Sequence, residues 1–231
     1  DYAKRYAAFG DVYLNWEIIE NLNFKTTLGG GFNTFDSRRF TALDPEHGEP
    51  IGVNNLNEQD QTASNWIWTN VLSYSKTYKE HKINALIGYE ALKSSDKGKG
   101  ITVSDFLFET PDFYLLSNGA GAPNVDYAYD SFNSLASVFA TANYSFRDKY
   151  FATVTLRNDT SSRFLGANKS ATFPSFSGGW IMSKENFFNT DGFVNRLKLK
   201  GSWGQLGNQT LPVDNPTINI SSLNNSQADY Y

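Results

Sequence analysis

The chain has no cysteine, one methionine and two histidines among its 231 residues. Without thiols it carries no disulfide framework and no thiolate metal site. His47 and His81 have no second ligand at metal spacing, which reads both as surface residues. No run approaches the roughly 18 apolar residues of a membrane-spanning helix. A net charge of -4, a pI near 5.2 and the lack of any basic stripe leave no footprint for nucleic acid. No nucleophile and base stand in a catalytic pattern, so no enzyme activity is expected. The "LGGGF" stretch at 28–32 lacks the strand, GxGxxG and helix context of a dinucleotide loop, and its glycines serve to relieve crowding or bend a strand.

Aromatic residues, by contrast, are plentiful at 16%, accompanied by many Asn, Ser, Thr and Gly. That mixture suits strands, turns and polar loops better than helices. Mean hydropathy is -0.46. Such a value suits a soluble chain, and equally a membrane barrel whose lipid-facing and lumen-facing residues alternate and cancel. The opening "DYAKRYAAFG" has no signal-peptide core and reads as a mature or truncated start.

Period-two alternation marks eight strands at about 11–19, 22–34, 64–78, 81–93, 132–146, 149–163, 171–184 and 195–206. On 149–163, Tyr150, Ala152, Val154 and Leu156 oppose Thr153, Thr155, Arg157 and Asp159. On 195–206, Leu197, Leu199 and Trp203 oppose Arg196, Lys198, Lys200 and Ser202. Arg157, Asp159, Arg196, Lys198 and Lys200 are therefore expected on one polar face, lumenal in a barrel and merely solvated in a soluble sheet. Short turns at 20–23, 78–81 and 146–149 alternate with long connections at 35–63 and 94–131. Outer-membrane barrels show this asymmetry, with short periplasmic turns and long external loops. Trp16, Tyr74, Tyr78, Tyr144, Phe146 and Tyr150 gather near the short turns, as an interfacial girdle or as cross-strand pairs.

Three consecutive motifs, "NYSFRDKYFATVTLRNDTSSRF" (143–164), "ATFPSFSGGWIMSKENFF" and "VNRLKLKGSWGQLGNQ", resemble the SusC/RagA family of TonB-dependent outer-membrane transporters of Bacteroidota. "FKTTLG" (24–29) and "NALIGYE" (84–90) extend the likeness over most of the chain. Asn158 and Thr160 depart from the Arg and Gly more usual in the family. The resemblance implies an all-β fold, with residues 1–231 as about eight antiparallel transmembrane strands of a larger, plugged barrel of about 22 strands. It places the plug, the TonB-contacting segment and the last strands outside this chain. It also implies the bacterial outer membrane, a SusD-like surface lipoprotein as cap, the TonB energy-coupling complex, and uptake of oligosaccharides or peptides. No cofactor is implied.

Within the external loops, Phe40, Phe106, Phe108, Phe113 and Tyr114 are candidate stacking surfaces for substrate, or for packing the loops themselves. "LDPEHGEP" could offer Asp44, Glu46 and Glu49 to calcium, without the full ligand pattern of such a loop. Two other readings compete: a soluble β-sandwich acting as a carbohydrate-binding or adhesin module, and a passive porin.

Overall fold

The computed structural model describes residues 1–44, 51–164, 166–189 and 192–208. Its eight strands are β1 (Tyr2–Ile19), β2 (Leu22–Thr41), β3 (Asn55–Tyr78), β4 (His81–Ser104), β5 (Asn124–Phe146), β6 (Tyr150–Ser161), β7 (Ser170–Ile181) and β8 (Lys198–Gly204). All belong to one antiparallel sheet in which spatial order equals sequence order. The only helical elements among the described residues are short 3-10 turns.

At one end the strands are joined tightly. Asn21, Lys79, Arg147 and Asp148 adopt positive φ of 69°, 51°, 56° and 50°. Left-handed residues give a short hairpin turn the twist of its flanking strands, and Asn accepts that conformation most readily. The β7–β8 connection at 182–197 also lies at this end, so the strict alternation of short and long links stops after β6.

The register aligns one apolar band across the whole sheet. Leu14, Phe24, Leu72, Ile87, Ala140, Leu156, Phe176 and Trp203 share a face with Val12, Leu28, Trp68, Ala91, Val138 and Leu199. These side chains are largely uncovered: Leu14, Ile87, Leu156 and Trp203 are each more than half exposed. A soluble monomer rarely leaves so continuous an apolar surface in water. A sandwich would cover it with a second layer, and the single sheet supplies none among the described residues. The buried apolar core found there is only Phe40, Leu56, Val103, Phe106 and Ile181.

Several strands outrun their apolar pattern. β3 and β4 each have 24 residues and β5 has 23, against about 9–11 for a tilted membrane crossing. The segments 35–41, 55–63, 94–104 and 124–131, expected as loop, are therefore ladder. They escape a hydrophobicity reading because polar and charged residues dominate both faces, with Phe40, Leu56 and Val103 isolated among them. Arg38 pairs with Glu58 across β2–β3 at 2.7 Å, and Lys99 with Asp60 across β3–β4 at 3.6 Å. On the opposite face Asn57 and Thr102 bond each other at 2.8 Å and share Asp126. The true connections shrink to 42–54 and 105–123.

Candidate functional site

The polar face holds a charged network built by cross-strand register. One row sets Thr69, Glu90, Ser137 and Asp159 side by side on β3 to β6. Arg157, two residues before Asp159 on the same strand face, reaches all of the acidic members. Its guanidinium donates to Asp159 Oδ1 at 2.7 Å, to Glu90 Oε1 at 3.2 Å and to Ser137 Oγ at 2.8 Å, while Thr69 donates to Glu90 at 3.3 Å. Two carboxylates around one guanidinium leave the cluster with a net negative charge.

Arg157 also lies 5.4 Å from the Phe139 ring centre, a distance at which cation and ring attract. The tip of the Phe139 ring in turn lies over Gly88, occupying the space that a Cβ there would need. Any larger residue at 88 would push the Phe139 ring out of this position. The sheet curls toward the polar face, since Arg5, Asn33, Asn65, Asp96 and Asn133 from five successive strands border one groove of about 660 Å³.

Of the other expected polar-face residues, Lys198 and Lys200 sit on β8 beside Phe151 and Thr153, with Lys198 Nζ 4.7 Å from the Phe151 ring centre. Arg196 is displaced: it precedes β8 and lies in the β7–β8 connection, not on a strand face. Sequence reading missed Glu90 as the partner of Arg157. The two are separated by 67 residues, and only the register of β4 against β5 and β6 joins them.

The far end of the wall is organised differently. Phe40, Leu56 and Val103 form one row, Leu56 fully buried, and the 105–123 connection folds back over them. Phe106 meets Phe40 edge-on at 5.4 Å, and Tyr114 stacks on it at 4.0 Å. Asn54, itself buried, donates to the Phe106 carbonyl at 2.9 Å and accepts from its N–H at 2.7 Å. Asn54 also donates to Glu109, which accepts the Leu43 N–H as well. These two bonds hold the Glu109 carboxyl below its ordinary pKa.

Phe40 is thus a strand residue under cover, and Phe106 is buried with it. Neither presents a ring face to a ligand, and Tyr114 spends its face on Phe40. Phe108 and Phe113 remain outward, ring centres 4.9 Å apart, with Leu107 and Leu115 also exposed nearby. Asp44 pairs by backbone with Ile51, while Glu46, Glu49 and His47 fall outside the described residues.

At the short-turn end the aromatic cluster lies on the apolar face. Tyr144 and Phe146 share that face with His81, whose Nδ1 is 2.7 Å from the Tyr144 hydroxyl. Tyr150 stacks on Trp180 across β6–β7. Trp180 joins this girdle although it was not singled out in the sequence.

No protein-family model matches the chain. It is 31% identical over 211 residues to TonB-dependent receptor P3 of Formosa agariphila, covering 91% of this chain and 21% of that one. It is 39% identical over 103 residues to TonB-dependent receptor SusC of Bacteroides thetaiotaomicron, covering 45% of this chain and 10% of SusC. The proteins it is similar to are thus TonB-dependent receptors, SusC among them. It spans about a fifth of the length of the Formosa receptor. Among solved structures, the RagAB peptide importer in its closed-closed state superposes with a TM-score of 0.75 over 87% of this chain and 22% of that one, at 23% identity. The open-open state gives 0.74 over the same shares. The sheet is accordingly an arc of a transmembrane antiparallel β-barrel.

Proposed function

We propose that the chain forms one wall of a TonB-dependent importer in a bacterial outer membrane, with its apolar band against lipid and its polar face lining the lumen. The observation that carries this reading is the band itself, continuous over all eight strands and without a protein cover among the described residues. Receptor names among the relatives support the energy-coupled mode of transport. In this reading the Arg157, Glu90 and Asp159 cluster, with Lys198 and Lys200, faces the passage and the plug. The chain makes and breaks no bonds; its work is to bind, to guide and to let the plug move.

The 105–123 connection belongs to the external end, where its outward pair Phe108 and Phe113 suits a SusD-like surface lipoprotein or an incoming solute. The solved relative is a peptide importer, which favours peptides over oligosaccharides as cargo. Coupling to TonB passes through parts of the protein beyond this arc. The test uses the full-length protein in outer-membrane vesicles, with single spin labels at Val154 and Thr155. Strong oxygen contact at Val154 with nickel-reagent contact at Thr155 is expected. Water-like accessibility at both would overturn the reading, and cargo uptake that persists without TonB would reassign the barrel as a passive porin.

A further inference from the structure

The β7–β8 connection stands at the short-turn end, where the other links are tight turns, and its first half is docked in a defined way. Ile181 N–H donates to the Lys149 carbonyl at 2.8 Å, and Lys184 Nζ donates to the Asp148 carbonyl at 3.0 Å. Glu185 is the centre of the docking. Its carboxylate accepts from the Tyr150 hydroxyl at 2.6 Å, from Trp180 Nε1 at 3.1 Å and from Lys149 Nζ at 3.1 Å.

Two of those three donors are the polar tips of rings on the apolar face. Fixing the tips fixes the rings, and Tyr150 and Trp180 lie nearly parallel, 9° apart. Phe187 then meets Trp180 edge-on at 6.3 Å, with 67% of its own surface uncovered. A non-strand aromatic is therefore held out beside the girdle, on the lipid side of the wall and past the last strand residue. Aromatic rings with one wet end and one apolar end partition to the membrane–water interface.

We propose that residues 182–189 form an interfacial foot, in which Phe187 enters the headgroup–acyl boundary of the leaflet at the short-turn end and so prolongs the lipid contact of Tyr150 and Trp180 beyond the barrel wall. The occupant is phospholipid, argued from the continuity of Phe187 with the lipid-facing girdle. This rests on the barrel reading above.

The test places single spin labels at 187 (Phe187→Cys) and at 154 (Val154→Cys) in the full-length protein reconstituted in phosphatidylethanolamine–phosphatidylglycerol vesicles. The label at 187 should show an oxygen-to-nickel accessibility ratio several-fold above that of a label at the exposed turn residue Lys79, and below that of 154. Because this label replaces the ring itself, Phe187→Trp serves as the second variant. Its added emission should be quenched by phospholipid brominated near the carbonyl. Adding Glu185→Gln to that variant should relieve most of the quenching. A water-like ratio at 187 together with unquenched Trp emission, while 154 remains lipid-like, would overturn the foot and leave the barrel intact. A water-like label at 154 would instead overturn the barrel reading.

Discussion

β4 is one unbroken strand that keeps a single register against β3, yet its two halves serve different solvents. From Ile83 to Ala91 the outward residues are Ile83, Ala85, Ile87, Tyr89 and Ala91; from Lys93 to Lys99 they are Lys93, Ser95, Lys97 and Lys99. The backbone ladder is indifferent to the change, because each N–H and C=O is satisfied by β3 and β5 whichever solvent lies outside. Side-chain alternation thus reports the solvent on each face, and strand length reports something else: how far the pairing partners continue. Lys93 marks the border, with its ammonium 5.5 Å from the Phe132 ring centre, the posture of a side chain that keeps its stem on apolar surface and its charge in water.

The largest expected effect sharpens that border from above. Leu56, fully buried, anchors the small cluster at the far end. Leu56→Ala should cost about 2–5 kcal/mol of local stability. Hydrogen exchange should accelerate over 105–123 while the Ile83 to Ala91 stretch stays protected. Next comes a contrast on β4 itself. Ile87→Arg, in the apolar half, should cost about 2–4 kcal/mol in denaturant refolding into bilayers, whereas Lys97→Gln, in the polar half, should stay within about 0.5 kcal/mol. Equal costs would erase the distinction between the halves.

The smallest effect concerns acid. Glu185 has its carboxyl lowered from 4.5 to about 2, first by the Tyr150 hydroxyl, then by Trp180 and Lys149. A depressed carboxylate stabilises docking above its ordinary pKa and loses that contribution as pH falls toward the folded value. A spin label at Asn186 should therefore be immobilised at pH 5 and gain mobility as pH approaches 2. A label at Ala128, on the polar half of β5, should not change in step with it.

The lower halves of the strands were legible in the sequence because lipid on one side and water on the other force alternation. Val154 against Thr155 and Leu199 against Lys200 could be assigned to opposite faces from that pattern alone. The upper halves were not, since "NEQDQT" and "SSDKGKG" have water on both sides and carry no period. The position of Phe40 was lost for the same reason: its strand neighbours Ser37, Arg38 and Arg39 read as loop. Arg157 and Asp159 were legible as same-face neighbours. Glu90 and the Asn54 clamp were not, because they depend on contacts between residues more than 50 positions apart.

Pairing every strand with its sequence neighbour has a kinetic consequence. Each new strand docks on the strand just before it, and even across the longer connections at 42–54 and 105–123 loop-closure entropy grows only slowly with loop length. The wall can grow plank by plank, β2 on β1 through to β8 on β7, with no long-range search. Among the described residues the outer sides of β1 and β8 carry no strand partner, and their free N–H and C=O groups are adhesive toward any extended chain. Closure onto the neighbouring strands of the barrel is the event that quenches them, so the seam at β1 and the seam at β8 are where assembly speed and misassembly compete.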